Sequence, residues 1–199
     1  MNMWIISALL LSIATSVVVA SPSGPPVSVD GLCASMVPGH GPSDAVGDAP
    51  YSVTAVEQDD NTFKVRFEGV GANSTFRGFF LQARPWDSSS SGESETTSLG
   101  VFTSSAAGTQ QLDCFGSTAN AWGHSINTDK SVVEGTWTPP AGSGEVRFRV
   151  SVVQGPASTY WTELYSDVVM YESSAGKASL SLATLLGALA MVFLTSNRM

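Results

Sequence analysis

Val146-Arg-Phe-Arg-Val-Ser-Val-Val153 alternates: Val146, Phe148, Val150 and Val152 fall on one side, Arg147, Arg149, Ser151 and Val153 on the other. Side chains of an extended chain point alternately to opposite faces, so this is the pattern of a half-buried strand. Phe63-Lys-Val-Arg-Phe-Glu68 repeats it, with Phe63, Val65 and Phe67 opposite Lys64, Arg66 and Glu68. Working outward, Tyr51–Val56, Phe76–Ala83, Ser131–Trp137 and Thr159–Tyr165 are rich in β-branched and aromatic residues, which suit a pleated, half-buried surface. Turn residues separate them at Asp59-Asp-Asn61, Gly69-Val-Gly71, Pro139 to Gly144 and Gly155-Pro156. No long stretch carries a 3.6-residue period. The pattern predicts an all-β fold, an antiparallel β-sandwich of about seven to nine strands.

The 199 residues are 43% hydrophobic and only 13% charged, about half the charged share of an ordinary soluble domain. The apolar excess sits at the two ends. Trp4 to Ala20 is uncharged and closes on small residues before Ser21, the form of a secretory signal peptide over 1–20. Ala178 to Thr195 is a second uncharged run, long enough as a helix to approach the thickness of a bilayer core. Two readings stand for 173–199: a single transmembrane helix, or a GPI-attachment signal built on the small residues Ser173-Ser-Ala-Gly176. Either makes a membrane anchor. The remaining stretch, 21–172, is the expected sandwich domain, outside the cell and tethered.

Charge excludes several functions. Nine basic residues face 17 acidic ones, for a net charge of −8, and clustered cations are what phosphate backbones require. No nucleic acid partner is expected. Two cysteines and two histidines leave little for a metal or haem, and no cofactor is expected. His40 lies in a turn-rich loop and His124 has no nucleophile-elbow motif beside it. Nothing in the spacing of Asp113 or Asp129 brings either to a histidine, so each histidine is expected to bond loop backbone. The chain is expected not to be an enzyme.

Cys33 and Cys114 form an even pair in a secreted context, which predicts a disulfide. Asn73-Ser-Thr75 is the single N-glycosylation sequon. Asp87 to Ser98, acidic and Ser/Thr-rich, is expected to be a mobile surface loop. Beside it, Trp86 is the candidate ligand-contacting aromatic, whereas Trp122, Trp137 and Trp161 are expected in the core or as loop anchors. Arg66, Arg77, Arg84, Arg147 and Arg149 mostly alternate with strand hydrophobics and are expected on solvated sheet faces. Leu112 occupies the position, two before the second cysteine, where an antibody-type domain carries tyrosine.

Three separated blocks carry a family resemblance. Ser23-Gly-Pro-Pro-Val27, Cys33-Ala-Ser-Met36 and Pro38-Gly-His-Gly41 form the first, and Phe76 to Arg84 the second. The third is Cys114 with Trp122-Gly-His-Ser125, Lys130, Trp137-Thr-Pro-Pro140, Phe148 and Tyr160-Trp161. In this order, from Ser21 to Tyr171, they resemble the Reeler (reelin N-terminal) domain. The resemblance implies an immunoglobulin-like sandwich used for extracellular recognition. Relatives include matrix and guidance proteins, arthropod defence proteins, and reductases that join the domain to redox modules. The implied partner is a microbial surface glycolipid or polysaccharide in innate defence. A host cell-surface or matrix protein, bound in adhesion, is the alternative.

Overall fold

The computed structural model describes residues 21–29, 31–71, 74–90, 92–155 and 158–172. The signal-peptide segment, the anchor segment 173–199 and the sequon residue Asn73 lie outside the described residues. Among the described residues, no helix is long and apolar enough to cross a membrane.

Among the described residues, one helical turn, α1 (Leu32–Ser35), precedes eleven strands. A small sheet has the order β1-β2-β8-β5, from β1 (Tyr51–Glu57), β2 (Phe63–Gly69), β8 (Val132–Thr138) and β5 (Val101–Thr103). A large sheet has the order β10-β9-β3-β7-β6. Its strands are β10 (Tyr160–Tyr165), β9 (Ser143–Val153), β3 (Gly78–Asp87), β7 (Ser117–His124) and β6 (Thr109–Cys114). Two short strands pair off this path, β11 (Val169–Glu172) with β9 and β4 (Gly92–Glu93) with β3. All the pairings are antiparallel. The expected all-β sandwich is present. The strands exceed nine because β4 and β5 are too short for a two-residue period to announce them.

The core lies between the sheets where the period-two reading puts it. Phe63, Val65 and Phe67 face Phe79, Leu81, Phe148 and Val150, all almost fully buried. Aromatic rings fill the seam edge-on, with Trp137 to Phe148 at 5.4 Å and Phe79 to Trp122 at 5.0 Å between centroids, a favoured geometry for ring quadrupoles. Trp122 and Trp137 are wholly buried, and the Trp137 indole N–H donates to the Leu99 carbonyl at 2.8 Å. Gly135 permits this packing, because a Cβ there would meet the Trp122 ring and the Thr103 carbonyl at 3.3 Å. Trp161 packs partly buried against the same core and donates to the Gly47 carbonyl at 3.1 Å.

The chain before β1 straps the large sheet. Tyr160 Oη donates to the Gly41 carbonyl at 2.6 Å, and the Asp44 carboxylate accepts from Ser158 and Thr159. These hydroxyl bonds hold the Asp44 carboxyl below its usual range. Residues 41–47 thereby reach β10 and the residues that lead into it, and cover an edge that would otherwise invite pairing.

Candidate functional site

β3 lies between β9 and β7 within its sheet, and its two faces are covered by the sandwich core and by the N-terminal segment. Its burial is unbroken from Gly78 to Arg84. Phe79, Leu81 and Ala83 enter the sandwich core, whereas Phe80 joins a second apolar cluster with Met36, Cys114 and Ala121 beneath the N-terminal segment. Gln82 and Arg84 share that outer face.

The Cys33–Cys114 disulfide, with 5.6 Å between Cα atoms, fastens α1 to the end of β6. The last carbonyls of a helical turn have no partners within it. Two arginines supply them here. Arg84 donates to the Cys33 carbonyl at 2.6 Å, the Ala34 carbonyl at 3.1 Å and the Ser94 carbonyl at 3.0 Å. Arg149 donates to the Ser35 carbonyl at 3.1 Å. Gln82 adds a bond to the Cys33 carbonyl at 3.2 Å. Burial, reinforced by the nearby Arg149 charge, pulls the Arg84 pKa down to about 10.

Arg84 and Arg149 are thus fully buried, contrary to the expectation of solvated faces. Arg149 is held by Glu93 at 2.5 Å and Glu163 at 3.3 Å. Period-two reading assigns polar residues outward, and outward here is under the N-terminal segment. Arg66 and Arg77 do lie at the surface, paired with Glu68, Glu134 and Asp129, so the five arginines form no common patch. Glu93 overturns a second expectation. Asp87 to Ser98 is pinned rather than free, because Trp86 and Asp87 pair with Glu93 and Gly92. Ser98 is buried and donates to the Asn120 carbonyl at 2.6 Å. The signal available in the sequence was the apolar run around Gln82 and Arg84, which marks a strand covered on both faces.

Trp86 ends this buried row, half-buried at the rim. The Arg147 guanidinium lies 4.8 Å from the Trp86 ring centre and 4.6 Å from that of Tyr165. Its Nε donates to the Ser166 carbonyl at 2.9 Å. A cation between two rings is a fixed, amphipathic edge. Burial pushes the Tyr165 hydroxyl up to about 12, so it stays protonated at neutral pH.

The histidines form no catalytic set with the aspartates considered. Asp129 pairs with Arg77 at 2.8 Å, and Asp113 accepts the Ala119 N–H at 2.8 Å. Among the described residues, no three of His, Cys, Asp and Glu come together as metal ligands. His40 stands edge-on to Tyr160, 6.4 Å between centroids. His124 Nδ1 lies 3.2 Å from the Phe79 N–H, from which it accepts. Burial lowers its pKa below the ordinary value near 6.5, more than the Phe79 carbonyl raises it, and Lys130 and His40 lower it further. Above pH 6.5 the folded and unfolded chains both hold it neutral. Below that, the unfolded chain takes a proton the folded chain resists, so stability falls as pH drops. Denaturant midpoints between pH 7.5 and 5.0 should decline in the wild type and decline less in His124→Gln.

The profile of the Reeler domain matches residues 31–177. The chain belongs to the Reeler family. Reeler domains are extracellular or secreted modules, and the disulfide suits that oxidising setting. "Putative ferric-chelate reductase 1" of Danio rerio is 35% identical over 156 residues, covering 73% of this Reeler chain and 25% of the relative. The chain therefore spans about a quarter of that protein. "Putative defense protein 1" of Antheraea mylitta is 30% identical over 151 residues, covering 71% of this chain and 82% of the relative. Among solved structures, the human F-spondin reeler domain aligns at TM-score 0.49 with 19% identity, over 67% of this chain and 96% of that one. The Reelin-N domain of F-spondin aligns at 0.48 with 20% identity, over 72% and 99%.

Proposed function

We propose that this chain is an extracellular, membrane-tethered recognition module that binds microbial surface glycolipid or polysaccharide in innate defence. One observation carries the reading: the match to the moth defence protein takes in 82% of that relative, so the shared domain is most of it. With the reductase, the shared part is a quarter of that relative. The contact edge in this reading is Trp86, Arg147 and Tyr165. An indole offers a face for stacking on a sugar ring, and a guanidinium held between rings is already ordered for an anionic substituent.

The test displays the full chain on cultured cells and measures capture of fluorescent bacteria. Wild-type cells should capture them saturably. Trp86→Ala and Arg147→Ala should each weaken capture about tenfold, as loss of an interface anchor does, while the exposed Val46→Ala leaves it unchanged. Absence of capture of any bacterium, or soluble chain labelling host cells alone, overturns the proposal.

A further inference from the structure

We infer that a groove on the opposite face, across the small sheet, is a binding site for a neutral polyhydroxylated ligand, a saccharide segment without charge. The inference deepens the recognition reading and uses none of the Trp86 edge. The groove holds about 610 Å³, within the usual range for a small-molecule site.

Strand register builds its floor. Lys64 pairs with Thr136, and Thr136 pairs with Thr103, so the three side chains form one row across β2, β8 and β5. Glu134 stands beside the row, Gln58 closes one end, and Ser104, Ser105 and Gln111 form the other wall. Every described side chain lining it is polar, with Gly135 the remaining member.

The hydrogen-bonding inventory selects the ligand. Lys64 and Arg66 hold the two oxygens of Glu134 at 3.0 and 2.7 Å. That fixes the carboxylate, and with Glu68 on Arg66 at 2.6 Å the two cations and two carboxylates cancel, while each Glu134 oxygen keeps a lone pair to accept with. The hydroxyls of Thr103, Thr136 and Ser105 make no hydrogen bond among the described residues. Each can both donate and accept. The Gln58 amide donates to the Val56 carbonyl at 2.9 Å and keeps its oxygen free to accept. An anion would need a surplus of donors, and a cation a surplus of acceptors. A row in which donors and acceptors balance matches sugar hydroxyls, which also do both. The lining has no aromatic ring for stacking and no large aliphatic side chain to hold an acyl chain. A single saccharide is therefore held weakly, and useful affinity requires many tethered copies on a repeating polymer.

The experiment uses full-chain cells with fluorescent dextran and yeast mannan as neutral probes and heparin as the anionic contrast. The double variant Thr103→Val, Thr136→Val removes two hydroxyls but keeps β-branched residues on exposed strands, so folding is preserved. Its surface display is checked by antibody. Wild-type cells should bind one of the neutral polymers saturably, and heparin should not compete. The double variant should raise the half-saturating concentration about tenfold, in line with the loss of two neutral hydrogen bonds. Trp86→Ala should leave this binding unchanged. No saturable binding of either polymer, or an unchanged double variant, overturns the groove even if bacteria are still captured. If bacteria are not captured but dextran or mannan binding falls in the double variant, the groove stands and the defence reading fails.

Discussion

Replacing Cys33 and Cys114 together with serine should lower the unfolding free energy by about 4–5 kcal/mol. The bridge closes a loop with a sequence separation of 81, and the chain-entropy relation for a loop of that size gives about this value. In a domain of this length the melting temperature should fall by about 10–15 °C. The loss would be much of the roughly 5–15 kcal/mol by which small domains are stable. The native state suffers as well. Without the bridge, α1 is held to the sheet mainly through its carbonyls on Arg84 and Arg149, and fraying of α1 uncovers two buried guanidiniums. Denaturant unfolding of the secreted double variant measures the effect. A loss below about 1 kcal/mol would mean that the N-terminal segment is anchored by packing alone.

The same residues show what the sequence could and could not reveal. The inner face was legible because its rule is local: period two put Phe63, Val65, Phe67, Val146, Phe148 and Val150 on the buried side, and they are there. The disulfide was legible because an even pair of cysteines in a secreted chain leaves little choice, and Trp122 and Trp137 are buried as expected. The outer face was not legible. Whether Arg84 meets water or a helical turn depends on where residues 31–36 fold back. That contact spans about 50 positions of chain, and no local period records it. The half-hidden place of Trp86 under Arg147 has the same origin, since Arg147 arrives from a different strand. The groove was invisible for another reason. Thr103 and Thr136 are ordinary strand threonines until register sets them side by side.

Glu93 condenses this argument, and Glu93→Ala should cost about 3–5 kcal/mol. Its surroundings in the sequence, Ser, Thr and Gly, suggest a solvated loop in which a glutamate would matter little. Its side chain is 12% exposed and that of Arg149 is 5% exposed, with 2.5 Å between them. Without Glu93 the buried Arg149 keeps only the Ser35 carbonyl and a 3.3 Å contact with the exposed Glu163, so most of its compensation is lost, and breaking a buried pair in this way typically costs about 3–5 kcal/mol. Arg84 would sharpen the penalty, because its own charge rests on neutral carbonyls and already suffers from Arg149. Glu68→Ala is the contrast. It breaks the 2.6 Å pair with Arg66 at the surface, where water and salt screen such pairs so that they contribute little, and Arg66 keeps Glu134. The double variant Glu93→Met, Arg149→Met separates charge from packing. It should recover part of the loss, since two apolar side chains leave no orphaned charge. Chemical denaturation of the four chains decides the matter. Equal, small losses for Glu93→Ala and Glu68→Ala would place Glu93 in water and return the whole segment to the loop its composition suggests.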